Sequence, residues 1–143
     1  MAATAEQDGD IRKFEEIGTH PAANHNAIAE ALTFHELIGA ERKAARLRYL
    51  RSRWTERLLG EPNVRFHTNV DPEYSCGLTT VEIRGVAPAE LAAWLWDKHR
   101  IFVTSIEHEQ FKGIRVTPNV YTTHGEVDLF ADAMLSAARH GIG

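Results

Sequence analysis

The chain has one cysteine, four lysines and no apolar stretch approaching the ~20 residues that a bilayer-spanning helix needs. A single thiol, Cys76, cannot build an internal disulfide framework and suits a reducing compartment, so a cytoplasmic location is expected. The opening MAATAEQDGD lacks both the basic start and the apolar segment of an export signal, and neither export nor a membrane anchor is expected. Positive charge is also short. A net charge of -4 and a pI near 6.0 leave no global field to gather nucleic acid or an anionic membrane. Eight histidines are present, but His20 and His25 stand five apart, which does not put two rings on one helix face, and no His/Cys/Asp group has zinc-site spacing. A phosphate-cradling glycine loop and a dinucleotide fingerprint are both missing.

What is there has the size of one globular domain: 143 residues, 43% hydrophobic and 25% charged. Residues 1–10 are small or acidic without periodicity and are expected to form a disordered arm. Behind GTHP, the residues Ala27, Ala31, Phe34 and Ile38 recur at helical spacing beside Ile28, Leu32 and His35. They predict a broad-faced, largely buried helix that Gly39 ends, with His35 as a hydrogen-bonded core histidine. A second helix follows from about Glu41, with Leu47, Leu50, Trp54 and Leu58 on one stripe before Gly60 and Pro62. VRFHTNV and GLTTVEIRG read as strands around a DPEYSCG loop, PAELAAWLWDKHR as a helix with Leu91, Trp94 and Leu95 along one side, and IFVTSI and GIRVTPN as two more strands. Thr123 and Glu126 form a capping box ahead of a last amphipathic helix carrying Val127, Phe130, Met134 and Ala138. The order ααββαββα makes an α+β domain, a small sheet with helices on one face. The section from Leu78 to Val103 would cross over right-handed if its two strands were parallel neighbours.

Few residues invite chemistry. Arg42, Lys43, Arg46, Arg48, Arg51, Arg53 and Arg57, with Tyr49 and Trp54 interleaved, could face nucleic acid. Because Leu47, Leu50 and Trp54 must face a core, these cations read better as that helix's solvated or partner-contacting side. Cys76 has no neighbouring base in sequence and reads as an incidental thiol, and the adjacent Glu15 and Glu16 point apart on most backbones. Two positions remain. Gly18 and Thr19 stand just ahead of a helix, where free N–H groups, the helix dipole and a hydroxyl hold a phosphate, with capping by Thr19 as the alternative. Arg115 stands on a strand whose flanking Ile114 and Val116 point into the core. That placement serves two-pronged recognition of a carboxylate, or equally a salt bridge within the domain.

RKFEEIGTHPAANHNAIAEALTFHELIGAERK, followed in order by GIRVTPNVYTTHGEVDLFADAM, resembles the carboxy-terminal part of class V aminotransferase-like pyridoxal phosphate enzymes, in the isopenicillin N epimerase-like branch related to cysteine desulfurases. The resemblance runs from about Ile11 to Ala138. It implies the carboxy-terminal domain of pyridoxal phosphate fold type I: two leading helices and a small, mostly antiparallel four-stranded sheet with helices packed on one face. Residues 11–143 would be that domain, the large cofactor-binding domain being absent. It further implies that Gly18 and Thr19 reach the cofactor phosphate of a neighbouring subunit and that Arg115 holds the substrate's α-carboxylate. His20 receives no role. Thr122 and Thr123 depart from the asparagine and threonine that often follow the tyrosine in the family.

The resemblance also implies a Schiff-base lysine, usually preceded by histidine, on the large domain. Lys13, Lys43, Lys98 and Lys112 all lack that context. The expected activity of the chain alone is therefore none. The expected setting is an amino-acid enzyme completed as a homodimer or by a separate large-domain chain. A gene fragment, a split enzyme and an independent interaction module using residues 42–57 all produce such a sequence.

Overall fold

Alanine, the strongest helix former, is the commonest residue in the stretch after Pro21, and the chain there winds into α1, Ala22–Ile38. The computed structural model describes Gly9, Asp10, Gly18 and residues 22–143; the acidic arm expected at 1–10 otherwise lies outside the described residues. The chain forms two units, residues 1–39 and 40–143. In the first, α1 ends where Gly39 turns at φ 86 and donates its N–H to the His35 carbonyl at 3.1 Å. The expected burial of this helix is not met. No α1 residue is buried, Ile28, Leu32, Phe34 and Leu37 are each more than half exposed, and His35 is exposed rather than a core histidine. Periodicity marks the residues able to be covered; it does not guarantee that the covering surface lies in the same unit.

The second unit opens with α2, Ala40–Leu58, whose Leu50, Trp54 and Leu58 are buried, and Gly60 at φ 93 lets the chain leave it. Strand β1 (Val64–Phe66) is shorter than the alternation predicts. His67 N–H still donates to the Thr80 carbonyl at 2.9 Å. One residue on, Thr80 N–H turns to the Thr68 hydroxyl, so a side chain ends the ladder. Strand β2 (Thr79–Ile83) is followed by α3 (Pro88–His99), which has proline in its first turn and Arg100 in the left-handed region at φ 57 closing it. Strands β3 (Thr104–Glu107) and β4 (Lys112–Val116) form a hairpin, and α4 (His124–His140) follows. Its capping box is formed: Thr123 N–H donates to Glu126 Oε2 at 2.7 Å, and Glu126 N–H donates to Thr123 Oγ1 at 3.3 Å.

The four strands lie in the order β1-β2-β4-β3, every neighbouring pair antiparallel. Strands β2 and β3 therefore run parallel but are separated by β4, so the condition for a simple crossover between Leu78 and Val103 is not met. One sheet face, bearing Val81, Ile83 and Ile114, packs against Leu50, Trp54 and Leu58 of α2, Leu91 and Leu95 of α3, and Val127, Phe130 and Met134 of α4. At its centre the Trp54 ring meets Phe130 edge-on at 5.1 Å. The alternation that buries this set turns Thr80 and Arg115 to the other face.

Candidate functional site

Arg115 sits near the middle of the sheet, opposite Thr80 of β2 and Thr104 of β3. Ile114 before it is fully buried and Val116 after it packs against the core, so the backbone carrying Arg115 is held by apolar contacts on the far face. Its guanidinium donates from Nη2 to the Thr104 hydroxyl at 3.4 Å, a long bond, and the side chain is exposed. Among the described residues no carboxylate pairs with it. Glu82, two positions along β2 from Thr80, is bound instead to His67, Nε2 to Oε2 at 2.8 Å, and the His67 ring lies against Phe111 with centroids 5.5 Å apart. A guanidinium on a rigid strand with an open donor edge can grip a planar acid in two bonds.

Several other arginines of the second unit are committed. Arg53 grips Asp128 in a fork, Nε to Oδ1 at 2.8 Å and Nη2 to Oδ2 at 2.6 Å, which holds the Asp128 carboxyl below its ordinary range. Arg57 pairs with Asp132, and Arg139 with Glu61, whose carboxyl is likewise lowered. Arg46 donates to the Thr122 carbonyl at 3.0 Å, contacts His124 Nε2 at 2.9 Å, and reaches the Val120 carbonyl at 3.4 Å. Arg48 donates to the Ser75 carbonyl at 3.4 Å. The basic helix is thus less a solvated face than a row of tethers, holding the 70–76 loop, the 120–122 turn and α4.

Arg51 is the departure that sequence reasoning missed. It is 1% exposed, donates to the Val70 carbonyl at 2.6 Å and to the Ser75 hydroxyl, and keeps a buried Nε without a hydrogen-bond partner. A signal existed: Leu47, Arg51, Trp54 and Leu58 follow a 4-3-4 spacing, which places Arg51 on the core stripe itself.

Gly18 belongs to the first unit. It is exposed at φ 112, a conformation glycine accepts without strain, and a Cβ there would meet nothing within 4 Å. Thr19 and His20 lie outside the described residues. Cys76 is half-buried with Sγ 3.8 Å from the Ala44 carbonyl. No group of three His, Cys, Asp or Glu among the described residues could hold a metal. No helix among them is long and apolar enough to cross a membrane. A groove of about 420 Å³ opens on the helix-covered side of the sheet, lined by Trp54, Phe102, Val116, Thr122, Leu129 and Phe130. Arg115 does not line it, so this groove and the open guanidinium are separate features.

Known proteins resemble this arrangement in part of their length. No family model matches the chain. Isopenicillin N epimerase of Streptomyces clavuligerus is 30% identical over 125 residues, covering 87% of this chain and 31% of that protein, and isopenicillin N epimerase of Amycolatopsis lactamdurans gives the same figures. The chain thus spans about a third of the length of these curated relatives. Among solved structures, an apo cysteine desulfurase from Thermococcus onnurineus NA1 superposes with a TM-score of 0.65 and 26% identity, over 73% of this chain and 28% of that one. An alanine–glyoxylate aminotransferase from Nostoc sp. superposes with a TM-score of 0.62 and 25% identity, over 85% and 33%.

Proposed function

We propose that this chain, which is related to the carboxy-terminal small domain of the class V aminotransferase-like enzymes, serves as the carboxylate-binding domain of a pyridoxal phosphate-dependent enzyme acting on an amino acid. One observation carries the reading: Arg115 projects from the centre of a packed sheet and bonds only the Thr104 hydroxyl, whereas Arg53, Arg57 and Arg139 are each spent on an acidic neighbour. An intramolecular ion pair was the competing use of Arg115, and none of the described carboxylates takes it.

Each unit suits one contact of its own, the second with the substrate and the first with the cofactor phosphate of a neighbouring subunit. Arg115 fits the acid group of the substrate. Gly18 fits a turn that meets a phosphate through backbone alone, and Thr19 would add its hydroxyl. Lys43, Lys98 and Lys112 lie on α2, α3 and β4, and none is buried. Pyridoxal phosphate, when bound, supplies an electron sink for bond cleavage at the substrate's Cα. The contribution of this chain is to hold the acid group in a fixed plane and so orient the bonds at Cα. The reactive lysine would come from a large domain, in a homodimer or on a separate chain.

Two measurements test the reading. Mixed alone with pyridoxal phosphate and treated with borohydride, the chain is expected to show no stoichiometric labelling of any lysine and no turnover of amino acids. Combined with a lysine-bearing large domain, Arg115→Gln should raise KM for the amino acid at least about tenfold while leaving the absorbance of bound cofactor unchanged. An unaltered KM would remove Arg115 from the site.

The basic helix as a nucleic-acid surface is the weaker reading. Arg46, Arg48, Arg51, Arg53 and Arg57 already bond within the domain, which leaves few of its charges to neutralise phosphates.

A further inference from the structure

Strand β4 runs between β2 and β3, so Arg115 has a threonine as its cross-strand partner on either side, Thr80 of β2 and Thr104 of β3. Cross-strand partners share a sheet face, and here it is the face turned away from the helices. The two spacings differ. A residue of an antiparallel strand sends its N–H and its carbonyl to the same side. The Thr80 carbonyl accepts from His67 N–H at 2.9 Å, and Thr80 N–H donates to the Thr68 hydroxyl at 2.9 Å, so both groups turn toward the β1 side. The pair of Thr80 with Arg115 is therefore the close, non-hydrogen-bonded kind, with Cα atoms about 4.5 Å apart, and Arg115 with Thr104 is the wider kind at about 5.5 Å.

The hydroxyls are the unused part of this row. Thr104 Oγ1 accepts from Arg115 Nη2 at 3.4 Å, and the hydroxyl proton has no acceptor among the described residues. Thr80 is 6% exposed, and its hydroxyl bonds to none of those residues. Thr79 Oγ1, on the core face, is fully enclosed without a partner; Thr80 Oγ1 is not enclosed and can still meet one. A nearly buried hydroxyl left unpaired costs free energy that a bound acceptor removes. Gly113, two residues before Arg115 on the same face, raises no side chain over the row, and the Thr80 methyl stands 3.3 Å from where a Cβ there would be.

We propose that Thr80 and Thr104 are binding residues of the carboxylate site, their hydroxyls donating to the acid group on either side of the Arg115 fork; this rests on the function proposed above. Counting donors favours a carboxylate as the occupant. An ionised carboxylate accepts at about four positions, and one guanidinium edge meets two of them. Thr104 takes one of the guanidinium's hydrogens, which leaves a two-pronged edge whole. The two hydroxyls then supply the remaining donors, and the strands on which they stand fix their separation.

The test uses the full chain, isotopically labelled, with acetate as probe at constant ionic strength. The Nε–H signal of Arg115, identified by its loss in Arg115→Gln, is expected to shift saturably as acetate is added. Thr80→Val and Thr104→Val keep the branched shape and remove the hydroxyl, and each should raise the acetate Kd about three- to tenfold. Thr80→Ser and Thr104→Ser keep the hydroxyl and should stay within about twofold of the parent chain, with backbone amide spectra confirming that all four variants fold. A parent chain whose Arg115 signal ignores acetate would overturn the carboxylate reading of Arg115 and this inference with it. A saturable shift that the valine variants leave unaltered would overturn this inference alone, and so would serine variants that lose as much affinity as the valine ones, because packing rather than the hydroxyl would then be responsible.

Discussion

Arg51 and Arg115 carry the same guanidinium in opposite surroundings. Arg51 is enclosed, with the Val70 carbonyl and the Ser75 hydroxyl as its acceptors, so it ties the 70–76 loop to α2. Truncating it strands those acceptors and leaves a void beneath the loop; Arg51→Ala should cost about 2–4 kcal/mol in urea unfolding. Arg115 touches only the Thr104 hydroxyl at long range, and Arg115→Ala should stay within about 0.5 kcal/mol of the parent chain. If the two variants unfold together, the division between an enclosed arginine that holds the fold and an open one that does not is wrong. Sequence alone placed Arg115 on a strand with its neighbours turned inward, because alternation has a period of two and leaves little choice. Arg51 is harder to tell from the other arginines of its helix, because its charge points to solvent while its place on the stripe points to the core.

Elements were legible where local chemistry decides them. The Thr123–Glu126 box, Pro88 in a first turn and the glycines after α1 and α2 act within a few residues of themselves, and the structure forms a helix boundary at each. Strand order was less accessible, because it depends on which distant edges meet; β4 inserting between β2 and β3 has no local signature. Gly113 shows what that pairing demands. A Cβ at this position of β4 would come within 2.6 Å of the Val81 carbonyl oxygen and 3.3 Å of the Thr80 methyl, so β4 approaches β2 closely only with glycine there. The obstruction is backbone, which cannot swing aside as a long side chain would. Gly113→Ala is therefore expected to cost about 1–3 kcal/mol, with the loss read as a lower urea midpoint at an unchanged m-value. A neutral result would mean that the two strands have slack at this crossing. For α1 the sequence marks the helix but not its exposure, since helical spacing of apolar residues does not fix whether anything covers them.

At the scale of the second unit, its two longest helices are joined by charge as well as by core. Arg53 and Arg57 of α2 reach Asp128 and Asp132 of α4, and Glu61, just beyond α2, reaches Arg139 near the end of α4. The Arg53 fork lowers the pKa of Asp128, the bond from Arg139 lowers that of Glu61, and the Thr123 N–H and hydroxyl lower that of Glu126 at the α4 cap. A carboxyl whose pKa is lower folded than unfolded stabilises the fold fully only above its unfolded value, about 4 for these groups. That stabilisation fades as the pH falls through the folded value. All three groups act in the same direction, so the melting temperature should be nearly level from pH 7 to about 5 and then decline steeply toward pH 2.5. Asp128→Asn removes the best-formed of these pairs, so its curve should lie below the parent at neutral pH and meet it at the acid end. Curves that stay parallel throughout would show that the Arg53–Asp128 fork contributes nothing that depends on charge. The outcome also bears on α4 as the partner of α2: if the acid loss tracks Asp128, the helix that closes the core over Trp54 and Phe130 is held from outside by its arginine tethers as well as from within.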